Sequence, residues 1–244
     1  MTAPATNSNQ IADLFPGILE ALQNRTDITP AQMTVWARKT ILEMTEKWQF
    51  EELHVQGPTI NLTPNIPQVV PIASMLNPND DYTWLDDPVI FLDPPANTIA
   101  YPMNFMEVKA IQTLLYVPGS IPFKYTVQGP NFLLGGVPQQ TYQVYLPYYR
   151  RHPFIEGPNQ QNSPLFFPHS WMDLVEYAAA ERGAIAKRWP DMSTYLHQLI
   201  YGDPDYETSD GLRGRPGLLA ARMLTLERVQ SKSTRAMQPQ VARY

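Results

Sequence analysis

Residues 29–48, TPAQMTVWARKTILEMTEKW, form the clearest amphipathic helix pattern in the chain. Thr29 and Gln32 have the spacing of a capping box, and Pro30 suits the first helical position. Large apolar or aromatic side chains then recur at intervals of three and four residues, at Met33, Ala37, Ile41, Met44 and Trp48. A stripe of this kind normally faces a protein core. We therefore predict one helix over residues 29–48 with that face buried.

Proline divides the rest of the chain into blocks. Eighteen of the 25 prolines in the 244 residues lie between residues 58 and 168. Proline breaks helix interiors and cannot donate a ladder hydrogen bond, so we predict an irregular, β-rich middle between two helical flanks. The expected parts are an N-terminal helical part (1–57), a proline-rich β insertion (58–168), a C-terminal helical part (169–231) and an extended basic tail (232–244). The predicted fold is α+β: a helical bundle from both chain ends with an inserted antiparallel sheet or small barrel.

Local patterns predict the individual elements. A short helix begins at Pro16, a second follows Ser170 and ends before Pro190, a third covers residues 191–201, and a last one begins at Pro216. The acidic stretch 203–210 is predicted to be a loop. Runs rich in β-branched and aromatic residues, bounded by turn residues, predict strands at 59–62, 69–72, 89–92, 110–117, 124–128 and 141–146.

The net charge of −5 is the sum of two parts of the chain that have opposite charge. From residue 213 to the end, seven Lys and Arg side chains face one acid, which gives +6, and the first 212 residues then carry −11. An acidic body with a basic tail is typical of a chain that uses its tail for interaction. Arg150 and Arg151, at the end of the β block, are equally compatible with contact to an acidic partner and with neutralisation of the acidic body.

Composition and motif searches exclude several classes of function. The chain has no cysteine, so it has no disulfide framework, thiolate metal site or cysteine nucleophile. Its start has neither the basic nor the apolar region of a signal peptide, and no apolar run is long enough to span a membrane. Between residues 48 and 149 only Lys109 and Lys124 are basic, too few for a face that reads nucleic acid. No nucleophile elbow or phosphate-binding loop is present, so we predict no enzyme and no cofactor.

Two sets of residues have the spacing of metal ligands, but in each case an explanation without a metal is favoured. His169, Asp173 and Glu176 would share one helix face, yet acids in a first helical turn are also favoured by the helix dipole. The stretch beginning at Asn77 starts like a calcium loop but has Tyr82 and Pro88 where glycine and glutamate are required. We predict no metal site. The glycine-rich segment 211–217 is compatible with an anion site at a helix N-terminus and, more commonly, with a hinge.

The order of these blocks resembles the head-to-tail adaptor proteins (connector or head-completion proteins) of tailed bacteriophages. The likeness covers roughly residues 10–205 and rests on block order and loose patterns. Four segments contribute to it: 37–50 (ARKTILEMTEKWQF), 141–148 (TYQVYLPY), 168–185 (PHSWMDLVEYAAAERGAI) and the tyrosine-bearing helix 195–201. The proline-rich β block is larger than in the smaller, mostly helical members.

This resemblance implies a virion structural protein at the head–tail junction, assembled in the host cytoplasm. Such adaptors form homo-oligomeric rings, usually dodecamers. They dock beneath the portal, extend the channel through which genomic DNA is ejected, and provide the attachment surface for tail tube, nozzle or fibre proteins. Their C-terminal helix and tail grip the portal. The matching residues here are Arg222, Arg228, Lys232, Arg235, Arg243 and Tyr244.

An acidic body would suit a DNA channel, because acidic walls repel the phosphate backbone and prevent specific binding. The expected channel-lining residues are Asp80, Asp81, Asp86, Asp87, Asp203 and Asp205. The alternative reading is a β module of a virion tail or other complex that recognises protein or carbohydrate. Its binding platform would consist of exposed aromatic residues, namely Tyr82, Trp84, Tyr148 and Tyr149.

Overall fold

A computed structural model describes residues 9–94, 96–119, 121–207 and 213–220, with residues 204–207 and 213–216 described through their backbone. The chain is α+β and divides into two compact units. One unit, here called the helical unit, combines residues up to 44 with residues from 154 onward. The other, here called the β unit, consists of residues 45–153. Both ends of the chain therefore build one unit, and the middle builds the other.

Five α-helices lie wholly within the described residues. They are α1 (Phe15–Ala21), α2 (Pro30–Lys47), α3 (Val108–Leu114), α4 (Met172–Ala186) and α5 (Pro190–Tyr201). The capping box of α2 is confirmed, since Gln32 Oε1 accepts a hydrogen bond from the Thr29 N–H at 3.0 Å and Thr29 Oγ1 accepts one from the Gln32 N–H at 3.4 Å. Four of the five predicted stripe residues are buried, and Trp48 lies one residue beyond the helix end, half-buried.

In the helical unit, α2 and α4 pack through a glycine and an arginine. A Cβ on Gly183 of α4 would lie 2.6 Å from the Trp36 ring of α2, so only glycine allows this approach. One residue earlier, Arg182 Nε donates a hydrogen bond to Thr40 Oγ1 at 3.0 Å and its guanidinium pairs with Glu43. These contacts fix α4 against the helix that the sequence predicts most clearly.

The thirteen strands of the described chain form four small sheets. In the β unit the sheet orders are β1–β11–β4, β2–β10–β5–β6 and β3–β9–β8–β7, and in the helical unit β12 pairs with β13. All pairs are antiparallel except the parallel pair β7–β8. The strands are β1 (His54–Gln56), β2 (Ile60–Asn61), β3 (Gln68–Pro71), β4 (Tyr82–Leu85), β5 (Val89–Phe91), β6 (Ala100–Pro102), β7 (Asn104–Phe105), β8 (Lys124–Gln128), β9 (Asn131–Gly135), β10 (Gln143–Tyr145), β11 (Pro147–Arg150), β12 (Gly202–Glu207) and β13 (Arg213–Pro216).

The core of the β unit is one cluster of buried apolar side chains. Its fully buried members include Ile90, Phe132, Val144 and Leu146, which come from or adjoin three different strands. Because β9 and β10 occupy inner positions in their sheets, their apolar side chains are shielded by neighbouring strands on both sides. This core fixes the strands that carry the surface described below.

The predicted strand at 110–117 is wrong, because residues 110–114 belong to helix α3 and residues 115–117 form no strand. Ile111 is fully buried and Leu115, four residues later, is also buried, which is helical spacing. The Glu107 carbonyl accepts the N–H groups of both Ala110 and Ile111 at 3.0 Å and begins the helix. A short apolar run has no periodicity that separates strand from helix, so sequence alone favoured the wrong element.

The predicted acidic loop at 203–210 is also wrong in its first half. Residues 202–207 form β12, which pairs with β13 through the register Gly202↔Pro216 and Asp203↔Arg215. This pair of strands is called the C-terminal hairpin below. Gly217 follows this hairpin, and its backbone lies close to that of Ile200. A Cβ at Gly217 would lie 2.2 Å from the Ile200 carbonyl oxygen.

Several sequence predictions concern the end of the chain. The predicted last helix does not begin at Pro216, which ends β13; its described residues are 218–220. The candidate portal-docking residues Arg222, Arg228, Lys232, Arg235, Arg243 and Tyr244 lie outside the described residues, as does the predicted tail at 232–244.

Candidate functional site

Sheet β1–β11–β4 brings together aromatic residues that are far apart in sequence. In its register Tyr149 of β11 lies opposite both Trp84 of β4 and His54 of β1. Directly opposed residues of antiparallel strands project from the same face, so these three side chains share one face. The His54 and Tyr149 rings lie 4.8 Å apart between centroids, and Trp84 is 40% exposed. The face formed by His54, Trp84 and Tyr149 is here called the β4 face. Tyr82, on the same strand, is 38% exposed and lies opposite Arg150 in the register.

Tyr148 faces the opposite way and is a core residue. It is fully buried, and its hydroxyl donates a hydrogen bond to Asp80 Oδ2 at 2.6 Å and accepts one from the Asn77 N–H at 3.0 Å. Burial and the hydrogen bond to Asp80 raise the pKa of Tyr148. Of the four aromatics expected to form a binding platform, Tyr148 therefore does not lie on the β4 face.

Carboxylates flank β4 at both ends and hold it to its neighbours. Beyond its C-terminal end, Asp86 Oδ2 lies 2.9 Å from His54 Nε2, and Asp87 Oδ1 accepts a hydrogen bond from the Tyr125 hydroxyl at 2.5 Å. Before its N-terminal end, Asp81 Oδ2 lies 3.5 Å from Arg151 Nη1. Together with Asp80, these residues form the acidic flanks of β4.

Arg151 bridges two acids within the β unit. Besides Asp81, its guanidinium contacts Glu46 Oε1 at 3.4 Å. Arg150 lies opposite Tyr82 in the strand register, which skips Thr83 of β4 after the pair Tyr149↔Trp84. These contacts of Arg151 neutralise acidic neighbours, which is one of the two roles that the sequence left open for it.

The electrostatics of the β4 face favour a protonated imidazole beside carboxylates. The hydrogen bond with Asp86 raises the pKa of His54 above its ordinary value, against the opposing effect of burial, and Glu51 adds to the rise. Burial, with the negative charges of Asp86 and Glu51, raises the pKa of Tyr149 to about 12. The phenol therefore stays neutral at physiological pH.

Replacing Asp86 with asparagine is expected to lower the pKa of His54 toward its ordinary value. The larger contribution comes from the Asp86 hydrogen bond, so Glu51→Gln should lower the same pKa by less. Because the pKa of folded His54 lies above the unfolded value of about 6.5, the stability from this pair is fully present below pH 6.5 and is lost as the pH rises through the folded pKa. An NMR titration of the His54 ring in the three proteins measures this; equal values in all three would contradict the pairing.

The remaining candidate acids lie elsewhere. Asp203 and Asp205 belong to β12 in the helical unit, and Asp203 lies opposite Arg215 in the hairpin register. The sequence grouped them with the acidic flanks of β4 by charge alone, but the structure assigns them to a different unit.

Within the described ranges, no group of three histidine, aspartate or glutamate side chains is placed to hold a metal ion. His169 lies in a 3-10 turn before α4, and Asp173 and Glu176 lie on α4 itself. Burial raises the pKa of Glu176, and the nearby charges of Asp173 and Glu20 add to this rise. In the same described part of the chain, every helix is too short or too polar to cross a bilayer.

Sequence reasoning missed a group of apolar side chains that are exposed on edge strands of the β unit. Tyr101 on β6 is 47% exposed and Phe105 on β7 is 62% exposed, and both strands lie at the edge of their sheets. The Tyr101 ring packs edge-on against Phe123 and the Phe105 ring packs edge-on against Tyr125, so each exposed ring is held by a neighbouring ring. No sequence signal marks them, because edge position depends on which distant strands pair.

No protein-family model and no curated protein matches this chain, so its function must be argued from its own residues.

Proposed function

We propose that this chain is a phage virion structural protein, a ring-forming head-to-tail adaptor. In this proposal it docks beneath the portal, extends the DNA channel and offers the attachment surface for tail proteins. The proposal includes the finer architecture expected from sequence, in which helices from both chain ends form a bundle and an antiparallel sheet or small barrel is inserted between them in the sequence. The block order of the sequence and the open edges of the β unit support it.

The observation on which the proposal rests is the exposure of large apolar side chains at sheet edges. Tyr101 and Phe105 lie on two different edge strands, and Ile99, just before β6, is 47% exposed. Large apolar side chains at unpaired strand edges favour association and are usually covered by a partner. A ring needs head-to-tail contacts between two different surfaces of each copy, and a chain with several distinct open edges can provide them.

The acidic flanks of β4 support a role beside DNA. The side chains of Asp81 and Asp86 are 66% and 38% exposed, so part of their charge faces solvent. We propose that Asp80, Asp81, Asp86 and Asp87 contribute to a negative channel wall that lets DNA pass without binding. The reason is electrostatic: an acidic surface repels phosphates, whereas binding requires cations that replace counterions.

The basic C-terminal segment is proposed to dock on the portal. Its charge of +6 from residue 213 onward is opposite to that of the rest of the chain, so an acidic groove on the partner would attract it. In a ring the same weak contact would be repeated in every copy, and the contacts would combine through avidity. The docking residues in this proposal are Arg222, Arg228, Lys232, Arg235, Arg243 and Tyr244.

Removal of residues 232–244 is expected to abolish attachment to the portal while the fold stays intact. The truncation removes Lys232, Arg235 and Arg243, and avidity would multiply the loss over the ring. Co-sedimentation of the chain with the portal protein of the same phage measures attachment, and far-UV circular dichroism checks the fold. A full-length variant with glutamine at the three basic positions is the matched control for charge, and it should bind at least tenfold more weakly. Undiminished attachment of the truncated chain would show that the tail assignment is wrong.

A second candidate is a β module that recognises protein or carbohydrate, which the β4 face favours. There Trp84 and Tyr149 lie on one face beside carboxylates, and Tyr82 is exposed on the same strand. Aromatic rings with polar neighbours are common in binding surfaces. Native mass measurement separates the two candidates: a ring of about twelve copies supports the adaptor, and a strict monomer, even when mixed with the portal, supports the module.

A further inference from the structure

The helical unit has an open cleft where the loop after α1 meets the junction of α4 and α5. Its volume is about 410 Å³, within the range of about 300–1,000 Å³ that is usual for ligand sites. Its lining includes Arg25 from the loop and Arg188, Trp189, Asp191 and Tyr195 from the junction and from α5. All five residues belong to the helical unit, so the cleft lies within one unit.

One arginine of the cleft is held against an aromatic ring. The Arg25 guanidinium lies 4.7 Å from the centroid of the Trp189 ring, a cation–π contact that fixes its plane and leaves the N–H groups at its edge free. The loop that carries Arg25 is tied to the end of α4, because Lys187 Nζ donates a hydrogen bond to the Asp27 carbonyl oxygen at 2.9 Å and lies 3.3 Å from the Asp27 carboxylate. The charges of Lys187 and Asp27 therefore neutralise each other.

The other arginine occupies a backbone position that seldom carries a large side chain. Arg188 follows the end of α4 with a φ of +59°. The N–H of Trp189, the next residue, donates to the Ala184 carbonyl at 2.9 Å, as in a Schellman motif. Glycine or asparagine is usual at this left-handed position, which other side chains disfavour. Here an arginine side chain at this position lines the cleft.

The cleft has an excess of positive charge. Within the part of the chain that the structure describes, the side chains of Arg25 and Arg188 form no ion pair and no hydrogen bond. The lining holds these two arginines and one acid, Asp191, which gives a formal charge of +1. The fork of N–H groups on a guanidinium matches a carboxylate or a phosphate. Asp191 repels a doubly charged phosphate more strongly than a singly charged carboxylate, so the lining favours a carboxylate.

We propose that this cleft binds an acidic segment of a protein partner, with a carboxylate on Arg25 and Arg188 and an apolar side chain against Tyr195 and Met192. Tyr195 is 62% exposed and Met192 is half-buried, so apolar surface is open beside the charges. Both arginines are exposed, so a free small carboxylate would be covered too little to bind tightly. A chain segment adds contacts along the surface, and its charge selects the cleft.

This binding does not depend on a ring, and it goes beyond the proposed adaptor. In an adaptor the partner would be a tail protein, because the basic C-terminal segment is assigned to the portal. The cleft and that segment would then hold different neighbours.

A peptide titration of the full chain tests the proposal. The probes are acetyl-Asp-Phe-Asp-amide and its neutral match acetyl-Asn-Phe-Asn-amide, and binding is followed by NMR at the indole N–H of Trp189. We expect the acidic peptide to bind about fivefold more tightly, the upper end for a partly exposed ion pair. This preference should shrink as salt is added, because salt screens exposed charges. Arg25→Gln and Arg188→Gln should each remove most of the preference.

The matched control is Lys39→Gln, which removes an exposed cation of α2 that does not line the cleft. It should leave both affinities within about twofold, since distant surface charges are screened. Equal binding of the two peptides, or an equal effect of Lys39→Gln, would overturn the proposal. Inorganic phosphate that binds as tightly as the acidic peptide would also overturn it, because the cleft would then be a general anion site.

Native mass measurement of the same proteins covers the remaining occupant and keeps the two proposals apart. If the natural chain forms oligomers that Arg25→Gln and Arg188→Gln dissolve, a second copy occupies the cleft and the proposal is wrong. A ring that shows no preference for the acidic peptide overturns the cleft and leaves the adaptor standing. A strict monomer, alone and with the portal, that prefers the acidic peptide supports the cleft and removes the adaptor.

Discussion

The Gly57→Ala variant is expected to lose about 3 kcal/mol of stability in the β unit, the upper end of the usual cost of overpacking. Gly57 follows β1 and its N–H donates to the Leu146 carbonyl at 2.9 Å. A Cβ at this position would lie 1.9 Å from the Met75 carbonyl oxygen and 3.1 Å from the Leu146 carbonyl oxygen. Both atoms belong to the backbone, so no side-chain rotation can relieve the clash. Either β1 or the turn at Met75 must move away from the core.

The matched control for this variant is Gly129→Ala in the same unit. Gly129 has a φ of +59°, and no atom lies within 4 Å of the position that a Cβ would take. This alanine therefore meets only the backbone preference against a left-handed conformation, which costs about 1 kcal/mol. Urea unfolding followed by circular dichroism measures both variants. A loss for Gly57→Ala no greater than for Gly129→Ala would contradict the close approach at Gly57.

The Trp171→Ala variant should cost the helical unit about 4 kcal/mol, since truncating a buried tryptophan removes its transfer free energy and leaves a cavity. Trp171 is 1% exposed and lies in the 3-10 turn that leads into α4, where its N–H donates to the Pro168 carbonyl at 2.8 Å. Leu174 and Val175, on the first turn of α4, are buried next to it in sequence. Small proteins are stable by only about 5–15 kcal/mol, so this single change threatens the whole unit.

Trp84→Ala is the matched control, because it makes the same substitution at a side chain that is 40% exposed. We expect it to cost less than about 1 kcal/mol, as surface substitutions generally do. Both variants lose one tryptophan, so unfolding should be followed by circular dichroism rather than by fluorescence. Equal losses for the two variants would mean that Trp171 is not a core residue.

The helices that the sequence predicts well are those with both a start signal and a periodic face. Thr29 and Gln32 predict the beginning of α2, and the reciprocal hydrogen bonds between them confirm it. Pro190 predicts the boundary between α4 and α5 and stands at the first position of α5. Such signals lie within a few residues of each other, so no knowledge of the distant chain is needed to interpret them.

The errors arise where distant segments decide the structure. Residues 110–117 are apolar enough for a strand, but their burial pattern belongs to a helix. The chain at 203–210 is acidic and was predicted to be a loop, yet its first half pairs with β13. Strand β9, which contributes Phe132 to the core, was not predicted, because its apolar run is short and its partners β3 and β8 must be known first.

Some members of the candidate site were predictable, but His54 and the arrangement were not. The sequence grouped Trp84 and Tyr149 in one aromatic platform and named Asp86 as an acidic candidate. It could not show that Tyr149 lies opposite Trp84, nor that Asp86 bonds with His54. Strand register and hydrogen-bond partners follow from the packing of the whole β unit, so local patterns contain no information about them.

The division of the chain into two units has a consequence for its synthesis on the ribosome. Helix α1 and most of α2 are made first, but α4, against which they pack, is made only after residues 45–153. At about 5–20 residues per second, that interval is on the order of 10 s. The β unit can fold during this time, while the apolar face of α2, including Ile41 and Met44, has no partner. Nascent chains stalled near residue 153 should therefore bind cellular chaperones through their first 44 residues.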